Sequence, residues 1–364
     1  MINNIFKNKK VLITGHTGFK GSWLTLWMIK MEAEVFGISI GPPTKTSHYK
    51  LLDIENKITN YNLDIRERVK LQKLILRIQP DFIFHLAAQA LVKTAYNNPT
   101  ETYETNFLGT MNILESIREL NNKCICVLVT SDKSYKNVEW TWGYRENDPL
   151  GGVDPYSASK GATEILISSY CESYFKINNK TQIGVGRAGN VIGGGDWAEN
   201  RIVPDTMKAW SKKTEVIIRN GKATRPWQHV LEPLGGYLCL ASSLFKKRIY
   251  HGEAFNFGPN SNQNYSVSEL IEEISSYWPN ASVIDKKNSN NKKEYESGLL
   301  KLNCDKAFNL LGWEPVLNLK ETIKMTSDWY KSFFEGDKNV FKFSSDQIDE
   351  YISIANKKNI KWLS

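Results

Sequence analysis

The sequence predicts an α/β protein with a doubly wound parallel sheet and a smaller C-terminal lobe. Its 364 residues exceed what one ordinary hydrophobic core needs and fit two lobes of unequal size. Through the first half, short apolar runs alternate with amphipathic stretches, a pattern typical of parallel strands whose connecting helices cover both faces of a sheet. A glycine-rich turn follows the first apolar run, at the edge of such a sheet where ligands bind.

The predicted elements follow one another through short connections. Short apolar runs predict strands over 11–14, 35–40, 62–65, 81–87, 124–130 and 182–185. Helical periodicity predicts helices over 22–31, 66–78, 102–120 and 156–175. Three consecutive glycines, 193–195, then break the regular pattern. Beyond them we expect a short strand over 215–219 and a helix over 230–245, whereas the pattern after Gly336 predicts no particular element.

Composition argues against several classes of protein. The formal charge is +8, but the lysines are scattered, and the dense patch Lys286–Lys293 is mixed with Asn and Ser, which indicates a solvated loop rather than a nucleic-acid surface. The five cysteines lack metal-ligand spacing and favour a reducing compartment. The chain has no signal-like apolar core near Met1 and no apolar run of about 18 residues. We therefore expect a cytoplasmic protein without a metal, membrane or nucleic-acid partner.

The glycine turn has the spacing GxxGxxG between a predicted strand and a predicted helix. Gly15 suits the tight turn, Gly18 lets the backbone approach a pyrophosphate, and Gly21 lets the helix pack on the strand. The helix N-terminus then offers free N–H groups to phosphates. Together with Thr17 and Phe19 in the same turn, this arrangement predicts a Rossmann-type dinucleotide site.

The choice between NAD and NADP is less clear from the sequence. The second predicted strand ends in Ser39-Ile40-Gly41, without the carboxylate that commonly holds the adenosine ribose. NAD is the expected cofactor and NADP stays open, since Lys45 could meet a 2′-phosphate or simply be solvated. Asp64 and Ile65 end the third predicted strand, where the adenine is expected. Asp64 can also be read as the N-cap of the next helix.

These features predict a division into lobes. A dinucleotide-binding domain is expected over 1–190, with 228–258 returning to it. The substrate-binding lobe is expected over 191–227 and 259–335, and 336–364 form a C-terminal extension. A lobe placed over the sheet edge leaves a cleft at the carboxyl ends of the strands, where ligands bind in this architecture.

A second group of residues carries acid–base chemistry. Tyr156 and Lys160 are four residues apart on a predicted helix, so both side chains share one face. A nearby ammonium lowers the pKa of a phenol, and we expect Tyr156 to be acidified and to act as a base. Ser131 ends a buried strand and is expected to bond the hydroxyl that Tyr156 deprotonates. Asp132 and Lys133 follow it, and a surface turn is the alternative interpretation.

These residues resemble the extended short-chain dehydrogenase/reductases, the family of NAD-dependent epimerases and dehydratases. The family's motifs occur in order: the glycine turn, His85–Gln89, Asn106 and the Tyr156–Lys160 pair. Longer phrases resemble the members that dehydrate CDP-glucose, namely residues 14–24, 130–133, 151–161, 187–191, 194–197 and 224–233. Other hexose dehydratases carry Asp-Glu where this chain has Asp132-Lys133.

The resemblance implies a 4,6-dehydration of a nucleotide hexose, with CDP-D-glucose as substrate and CDP-4-keto-6-deoxy-D-glucose as product. Tyr156, helped by Lys160 and Ser131, would remove the 4′-hydroxyl proton while a hydride passes from C4 to NAD. Asp132 would act as general acid at C6, and Lys133 would act as base at C5 if its pKa is depressed. The hydride would then return to C6, so that the cofactor ends as it began.

The resemblance also implies binding residues. For the cofactor they are Gly15, Thr17, Gly18, Phe19, Gly21, Asp64, Ile65, Ala87, Ala88, Tyr156 and Lys160. For the nucleotide-sugar substrate they are Gln89, Asn190, Arg201 and Arg225. Arg225 is expected to follow a strand and to clamp the diphosphate. Relatives pair through the two long helices, so a homodimer or homotetramer is expected.

Two other functions remain possible at this point. A nucleotide-sugar 4-epimerase or reductase would share the glycine turn and the Tyr–Lys pair but would not need an acid–base pair beside Ser131. A dinucleotide-sensing regulator would share only the fold, because fold does not determine function. Such regulators commonly lack the Tyr–Lys pair that this chain retains.

Overall fold

The computed structural model describes residues 3–177, 180–218, 220–260, 263–279, 281–285, 298–336 and 339–363. Seven parallel strands form the central sheet: β1 (Lys10–Thr14), β2 (Glu34–Ser39), β3 (Thr59–Asn62), β4 (Phe82–His85), β5 (Cys124–Val129), β6 (Thr181–Arg187) and β11 (Ala254–Asn256). Their spatial order is β11-β6-β5-β4-β1-β2-β3, which confirms the predicted fold class. The order reverses between β1 and β4, and this switch point is where ligands bind in open α/β sheets.

Helices fill the connections between the strands. In chain order they are α1 (Asn3–Phe6), α2 (Phe19–Lys30), α3 (His48–Leu52), α4 (Arg68–Ile78), α5 (Val92–Asn97), α6 (Pro99–Tyr103), α7 (Gly109–Arg118), α8 (Pro155–Tyr170), α9 (Ile202–Ser211), α10 (Leu231–Lys246), α11 (Val267–Ser275), α12 (Leu319–Phe334) and α13 (Val340–Lys357). Buried side chains of α2 and α10 pack on one face of the sheet, and those of α4, α7 and α8 pack on the other. The sheet therefore lies between two hydrophobic cores.

The two long predicted helices are continuous, but each contains a wider π turn. Residues 99–118 run from α6 through the π turn Glu104–Leu108 into α7, and Asn98 caps the start by accepting from the Glu101 N–H. Helix α8 continues through the π turn Cys171–Phe175. π turns interrupt the regular hydrogen-bond ladder and occur frequently at functional sites.

Short strand pairs and further helices lie outside the main sheet. The pairs are β7 (Val191–Ile192) with β10 (Gln228–His229), β9 (Thr224–Arg225) with β12 (Tyr265–Ser266), and β8 (Val216–Ile218) with β13 (Val283–Asp285). Strand β11 pairs with β6 of the main sheet, and α10 packs beside it. The bounds of the two lobes remain a prediction.

The structure corrects the sequence-based elements in three places. The third strand is Thr59–Asn62 rather than 62–65, so Asp64 and Ile65 follow the strand instead of ending it. Arg225 does not follow a strand but is the second residue of β9. The chain after Gly336 forms α13, which the pattern did not predict. The loop Lys286–Lys293 lies outside the described residues, and no described helix has the length and apolarity to cross a bilayer.

Candidate active site

The glycine turn forms a cradle that larger residues would fill. Gly15 has φ +73°, and a Cβ atom there would lie 2.7 Å from the Ala87 nitrogen. A Cβ at Gly21 would lie 2.1 Å from the Gly15 carbonyl oxygen. Helix α2 begins directly after Gly18, which provides no side-chain cap. The N–H groups of its first turn therefore remain available to a bound anion.

A buried histidine fixes the opposite wall of this cradle. The Thr14 Oγ1 lies 2.7 Å from His85 Nδ1 and accepts a hydrogen bond from the Ala87 N–H at 3.2 Å. The other ring nitrogen of His85 lies 3.0 Å from the Thr110 hydroxyl. Burial lowers the pKa of His85 to about 3, so the ring is neutral and serves as a structural connector. This network holds the predicted cofactor residues Ala87 and Ala88 against the glycine turn.

The adenosine end of the predicted site is built from hydroxyls and one ion pair. The Thr17 Oγ1 lies 2.5 Å from Ser39 Oγ and donates to the Gly41 carbonyl at 2.8 Å. Asp64 accepts from the Arg66 side chain at 2.7 Å. Burial opposes the charge on Asp64, but the hydrogen bonds and charge of Arg66 outweigh it and lower the pKa. Asp64 does not cap α4, whose N-cap is Glu67.

Tyr156 lies in the first turn of α8 and its side chain is buried. Asp154 caps this helix by accepting from the Ser157 N–H at 2.9 Å, which fixes the direction in which Tyr156 enters the site. The Tyr156 hydroxyl interacts with the Ser131 side chain, whereas the expected bond from Ser131 to a substrate hydroxyl stays a prediction. Burial raises the pKa of Tyr156 to about 12, although the Ser131 hydrogen bond and the charge of Arg201 act in the lowering direction. The expectation that protein groups alone acidify this phenol is therefore wrong, because desolvation outweighs them.

Lys160 is buried one helical turn beyond Tyr156. Its Nζ donates to the Val129 carbonyl at 3.5 Å. Burial lowers its pKa to about 8, and the charge of Glu164 opposes this shift. Glu164 forms a buried ion pair with Arg187 at 2.7 Å, which ties α8 to β6 beneath the site. A lysine that titrates this near neutrality can change its charge with the state of the site.

Asp132 is held in a closely fitted position beside Tyr156. Its two carboxylate oxygens accept from Ser131 Oγ at 2.9 Å and from Asn190 Nδ2 at 3.2 Å. A Cβ at Gly189 would lie only 1.9 Å from the carboxylate, so glycine is required there. The charge of Asp132 acts on the pKa of Tyr156, which places the two groups near each other.

Lys133 occupies a neighbouring position at the same strand end. Its backbone N–H donates to Ser131 Oγ at 3.2 Å, within a short 3₁₀ turn over Asp132–Ser134. Its side chain lines a small hollow together with Asp154, Ser157 and Leu300. This hollow adjoins the start of α8, and Tyr156 is not among the residues that line it.

The predicted substrate residues fall into two groups. Asn190 and Arg201 lie at the Tyr156–Asp132 cluster, and Arg201 forms an ion pair with Asp196 at 2.8 Å. Arg225 donates to the Thr224 carbonyl at 2.8 Å. The Gln89 amide is used within its own loop, where it bonds Leu91 and Thr102. A direct contact from Gln89 to substrate stays a prediction.

Two residues of this cluster were not predicted from the sequence. Lys20, in the first turn of α2, reaches the Tyr237 hydroxyl of α10 at 3.5 Å. The charge of Asp132 acts on both Lys20 and Tyr237, which places them beside the catalytic cluster. The sequence offered one signal for Lys20, its position between Phe19 and Gly21. A cation in the first turn of a helix is unfavourable because it opposes the helix dipole, so a lysine there indicates a specific role.

Comparison with known proteins places this geometry in a family. Residues 12–326 match the family model described as GDP-mannose 4,6 dehydratase. The chain is 41% identical over 360 residues to a protein of Salmonella typhimurium named CDP-glucose 4,6-dehydratase, covering 97% of this chain and 99% of the relative. It is 26% identical to a Salmonella typhi protein named CDP-paratose 2-epimerase, covering 89% of this chain and 99% of that one.

Solved structures share the fold. A UDP-glucose 4-epimerase from Thermotoga maritima, determined with UDP-glucose, superposes with a TM-score of 0.74 at 22% identity and covers 89% of this chain and 99% of its own. A UDP-glucuronic acid 4-epimerase from Bacillus cereus, in complex with UDP-glucuronic acid and NAD, gives 0.74 at 21% identity with the same coverage. Since the family model and the full-length relative agree, the chain belongs to the GDP-mannose 4,6 dehydratase family, within the NAD-dependent epimerases and dehydratases.

Proposed function

We propose that the protein is a nucleotide-sugar 4,6-dehydratase that converts CDP-D-glucose to CDP-4-keto-6-deoxy-D-glucose. The observation that carries the proposal is the carboxylate of Asp132, which Ser131 and Asn190 hold beside the Tyr156 hydroxyl. A 4-epimerase or reductase has no need of an acid in this place. The 41% identity to a protein named CDP-glucose 4,6-dehydratase supports the same substrate.

The residues present fit a dinucleotide. The cradle at Gly15 and Gly21 admits no Cβ, and the first turn of α2 has N–H groups without a side-chain cap. The glycine turn would hold the diphosphate, Thr17 and Asp64 would lie toward the adenosine, and Lys160 would lie toward the nicotinamide ribose. When bound, the cofactor supplies the acceptor and later the donor of one hydride.

The chain's own residues supply the proton transfers. Tyr156 takes the proton of the 4′-hydroxyl, and the Ser131 hydroxyl orients that group. Lys160 stabilises the phenolate form of Tyr156 that accepts this proton, and a positively charged nicotinamide ring would act in the same direction. The ketone at C4 then acidifies the C5 hydrogen. Asp132 in its protonated form delivers a proton to the leaving C6 hydroxyl, which departs as water, and Lys133 in its neutral form accepts the proton from C5 and returns it there.

Substrate binding is assigned to cations and amides at the cleft. Arg225 clamps the diphosphate with a guanidinium whose geometry suits phosphate oxygens. Arg201 and Asn190 lie close enough to Tyr156 and Asp132 to contact the hexose. Gln89 shapes the adjoining loop and completes the predicted set.

NAD is proposed as the cofactor in preference to NADP. Strand β2 ends at Ser39, and its hydroxyl together with Thr17 and the Gly41 carbonyl forms a neutral polar group there. Arg66, an arginine of the adjoining turn, is bound to Asp64 and Glu104. The similar solved structure from Bacillus cereus is an NAD complex.

A homodimer through the two long helices is also proposed. Apolar side chains remain exposed on α6, the π turns and α8, including Tyr103, Leu108, Ile165 and Tyr174. Exposed apolar residues clustered on adjoining helices favour burial against a second copy. Sedimentation equilibrium should then give a mass of at least twice 41.6 kDa.

A substrate panel tests the proposed reaction. CDP-, dTDP-, UDP- and GDP-hexoses are incubated with the protein and either NAD or NADP, and the 4-keto-6-deoxy product is read by its alkaline absorbance. We expect turnover of CDP-glucose with NAD. Asp132→Asn should lose dehydration while still exchanging hydrogen between C4 and the cofactor, because only the acid for C6 is removed. Epimerised hexose, or no reaction with any member of the panel, would refute the proposal.

A further inference from the structure

Lys20 is a cation in an electrostatically unfavourable place. It lies in the first turn of α2, where the unpaired N–H groups and the helix dipole already give a partial positive charge. Its hydrogen bond to Tyr237 is long, at 3.5 Å, and it makes no ion pair among the residues that the structure describes. The side chain is half-buried, and its ammonium lies 5.9 Å from the centroid of the Tyr237 ring. A cation withdrawn from water is normally paired with a counter-charge, since the loss of hydration is otherwise uncompensated.

The groups around Lys20 carry an excess of positive charge. Lys160 and Arg201 both repel it, and Asp132 is the carboxylate whose charge attracts it. Asp132 is itself bound by Ser131 and Asn190, so it is shared among several donors. Burial lowers the pKa of Lys20 to about 8; the charge of Asp132 opposes this shift, and the charges of Arg201 and Lys160 add to it. This pocket therefore favours an anion that would complete it.

We propose that Lys20 is a binding residue for the diphosphate of the dinucleotide, adding an ammonium to the N–H groups of the glycine turn. The diphosphate is the anionic part of the cofactor, and it binds at the N-terminus of the first helix in this architecture. The same contact would keep the dinucleotide bound between the two halves of a reaction that leaves it unchanged. The inference rests on the proposed NAD dependence but not on the identity of the sugar.

Lys20→Met tests the contact by direct binding measurement. Protein freed of dinucleotide is titrated calorimetrically with NAD, with ADP-ribose and with CDP. We expect Lys20→Met to weaken NAD and ADP-ribose equally, by about 10- to 100-fold, as for the loss of one hydrogen bond to a charged group. ADP-ribose has the diphosphate but lacks the nicotinamide, so an equal loss identifies the diphosphate. Binding of CDP should be unchanged.

Two further variants control for charge and for folding. Lys20→Arg keeps the cation and should bind NAD within a few-fold of the parent. Lys73→Met removes one exposed lysine from α4, away from the cleft, and should leave NAD binding unchanged. The melting temperature of dinucleotide-free Lys20→Met should not fall, because the substitution removes a repelled cation.

Three results would overturn the proposal. Unchanged NAD affinity in Lys20→Met would show that no such contact forms. Loss of NAD binding with full ADP-ribose binding would place the lysine at the nicotinamide instead. Loss confined to CDP would assign Lys20 to the diphosphate of the sugar nucleotide. In each case, the parent protein serves as the reference. If the parent binds NAD, the inference about Lys20 fails while the proposed NAD dependence stands; if the parent does not bind NAD, the proposed function itself fails.

Discussion

At the scale of single residues, burial decides how the proposed catalytic groups ionise. Burial raises the pKa of Tyr156 to about 12 and lowers that of Lys160 to about 8, so burial shifts both groups toward their neutral forms. The proton of Tyr156 is consequently held until a cation, such as the nicotinamide ring of a bound cofactor, adds its charge. Spacing alone predicted that the two residues share one helix face, but it could not predict the balance between desolvation and charge.

Tyr156→Phe should lower kcat by about 100- to 10,000-fold, which is the usual contribution of a positioned general base. The ring is retained, so NAD should bind with unchanged affinity. Both quantities are measurable, by steady-state kinetics with CDP-glucose and by calorimetric titration. Tyr277→Phe, after α11, provides a matched control that should keep the parent rate. Parent-like turnover in Tyr156→Phe would show that this phenol is not the base.

The site residues differ in how far the sequence could predict them. Tyr156, Lys160 and Ser131 have a local signal, because their spacing and strand-end position have direct geometric consequences. The bond from Asn190 to Asp132 has no such signal, since 58 positions separate them along the chain. Lys20 has a local signal in its place within the glycine turn, but the charges that surround it come from other elements.

At the scale of elements, Glu232 joins α10 to the C-terminal helix α13. Its carboxylate is fully buried, accepts from the N–H groups of Val316 and Leu317 at 3.0 and 2.6 Å, and accepts from the Tyr351 hydroxyl at 2.9 Å. Burial nevertheless raises the pKa of Glu232 to about 7. A carboxyl whose pKa is higher in the folded protein stabilises at low pH, and that stabilisation is lost as the pH rises.

Glu232→Gln should remove this pH dependence. From pH 5 to 7.5, the contribution of Glu232 to the free energy of unfolding should fall by about 2 kcal/mol, an order-of-magnitude figure. A glutamine can accept from the two N–H groups and donate to Tyr351, so it should fold. Urea unfolding of parent and variant at both pH values gives the difference directly. Glu272→Gln, on the exposed side of α11, should match the parent, and parallel pH profiles for Glu232→Gln would contradict the assignment.

Helix α13 also illustrates why one element was not predicted. Its position is set by distant partners: Tyr351 packs edge-on to Trp27 of α2, and Ser344 bonds the ring of His48 at 3.0 Å. His48 in turn stacks on Trp23, with ring centroids 4.6 Å apart. His48 and Ser344 are 296 positions apart in the chain, so no local pattern near Gly336 could indicate their contact.

At the scale of the whole molecule, four buried histidines limit stability in acid, and burial lowers the pKa of His16 among them. Burial lowers the pKa of His48, His85 and His229 to about 3 each. They lie in α3, β4 and β10. A histidine whose pKa is lower in the folded protein contributes stability above its unfolded pKa of about 6.5, and that stability is lost as the pH falls toward the folded value.

The free energy of unfolding should therefore fall as the pH drops below about 6.5. Each of His48, His85 and His229 contributes about 1.4 kcal/mol per pH unit and Glu232 opposes with a similar slope, so a net fall of at least about 3 kcal/mol per unit is expected between pH 6 and 5. Urea unfolding at pH 7.5, 6 and 5 measures it. In the Glu232→Gln variant, the free energy of unfolding should fall more steeply with decreasing pH, because the opposing carboxyl is removed. A constant free energy of unfolding over this range would refute the assignment of three neutral buried rings.

The sequence by itself determined the sheet, the glycine cradle and the Tyr156–Lys160 pair, because each depends on periodicity or spacing within about 20 residues. The tertiary structure alone decided that Lys20 and Asn190 join Asp132, that α13 docks on α2 and α3, and that the phenol is not acidified. The physical reason is the distance over which each effect acts. Backbone preferences act between neighbours in the chain, whereas desolvation and charge act between all groups that folding brings together.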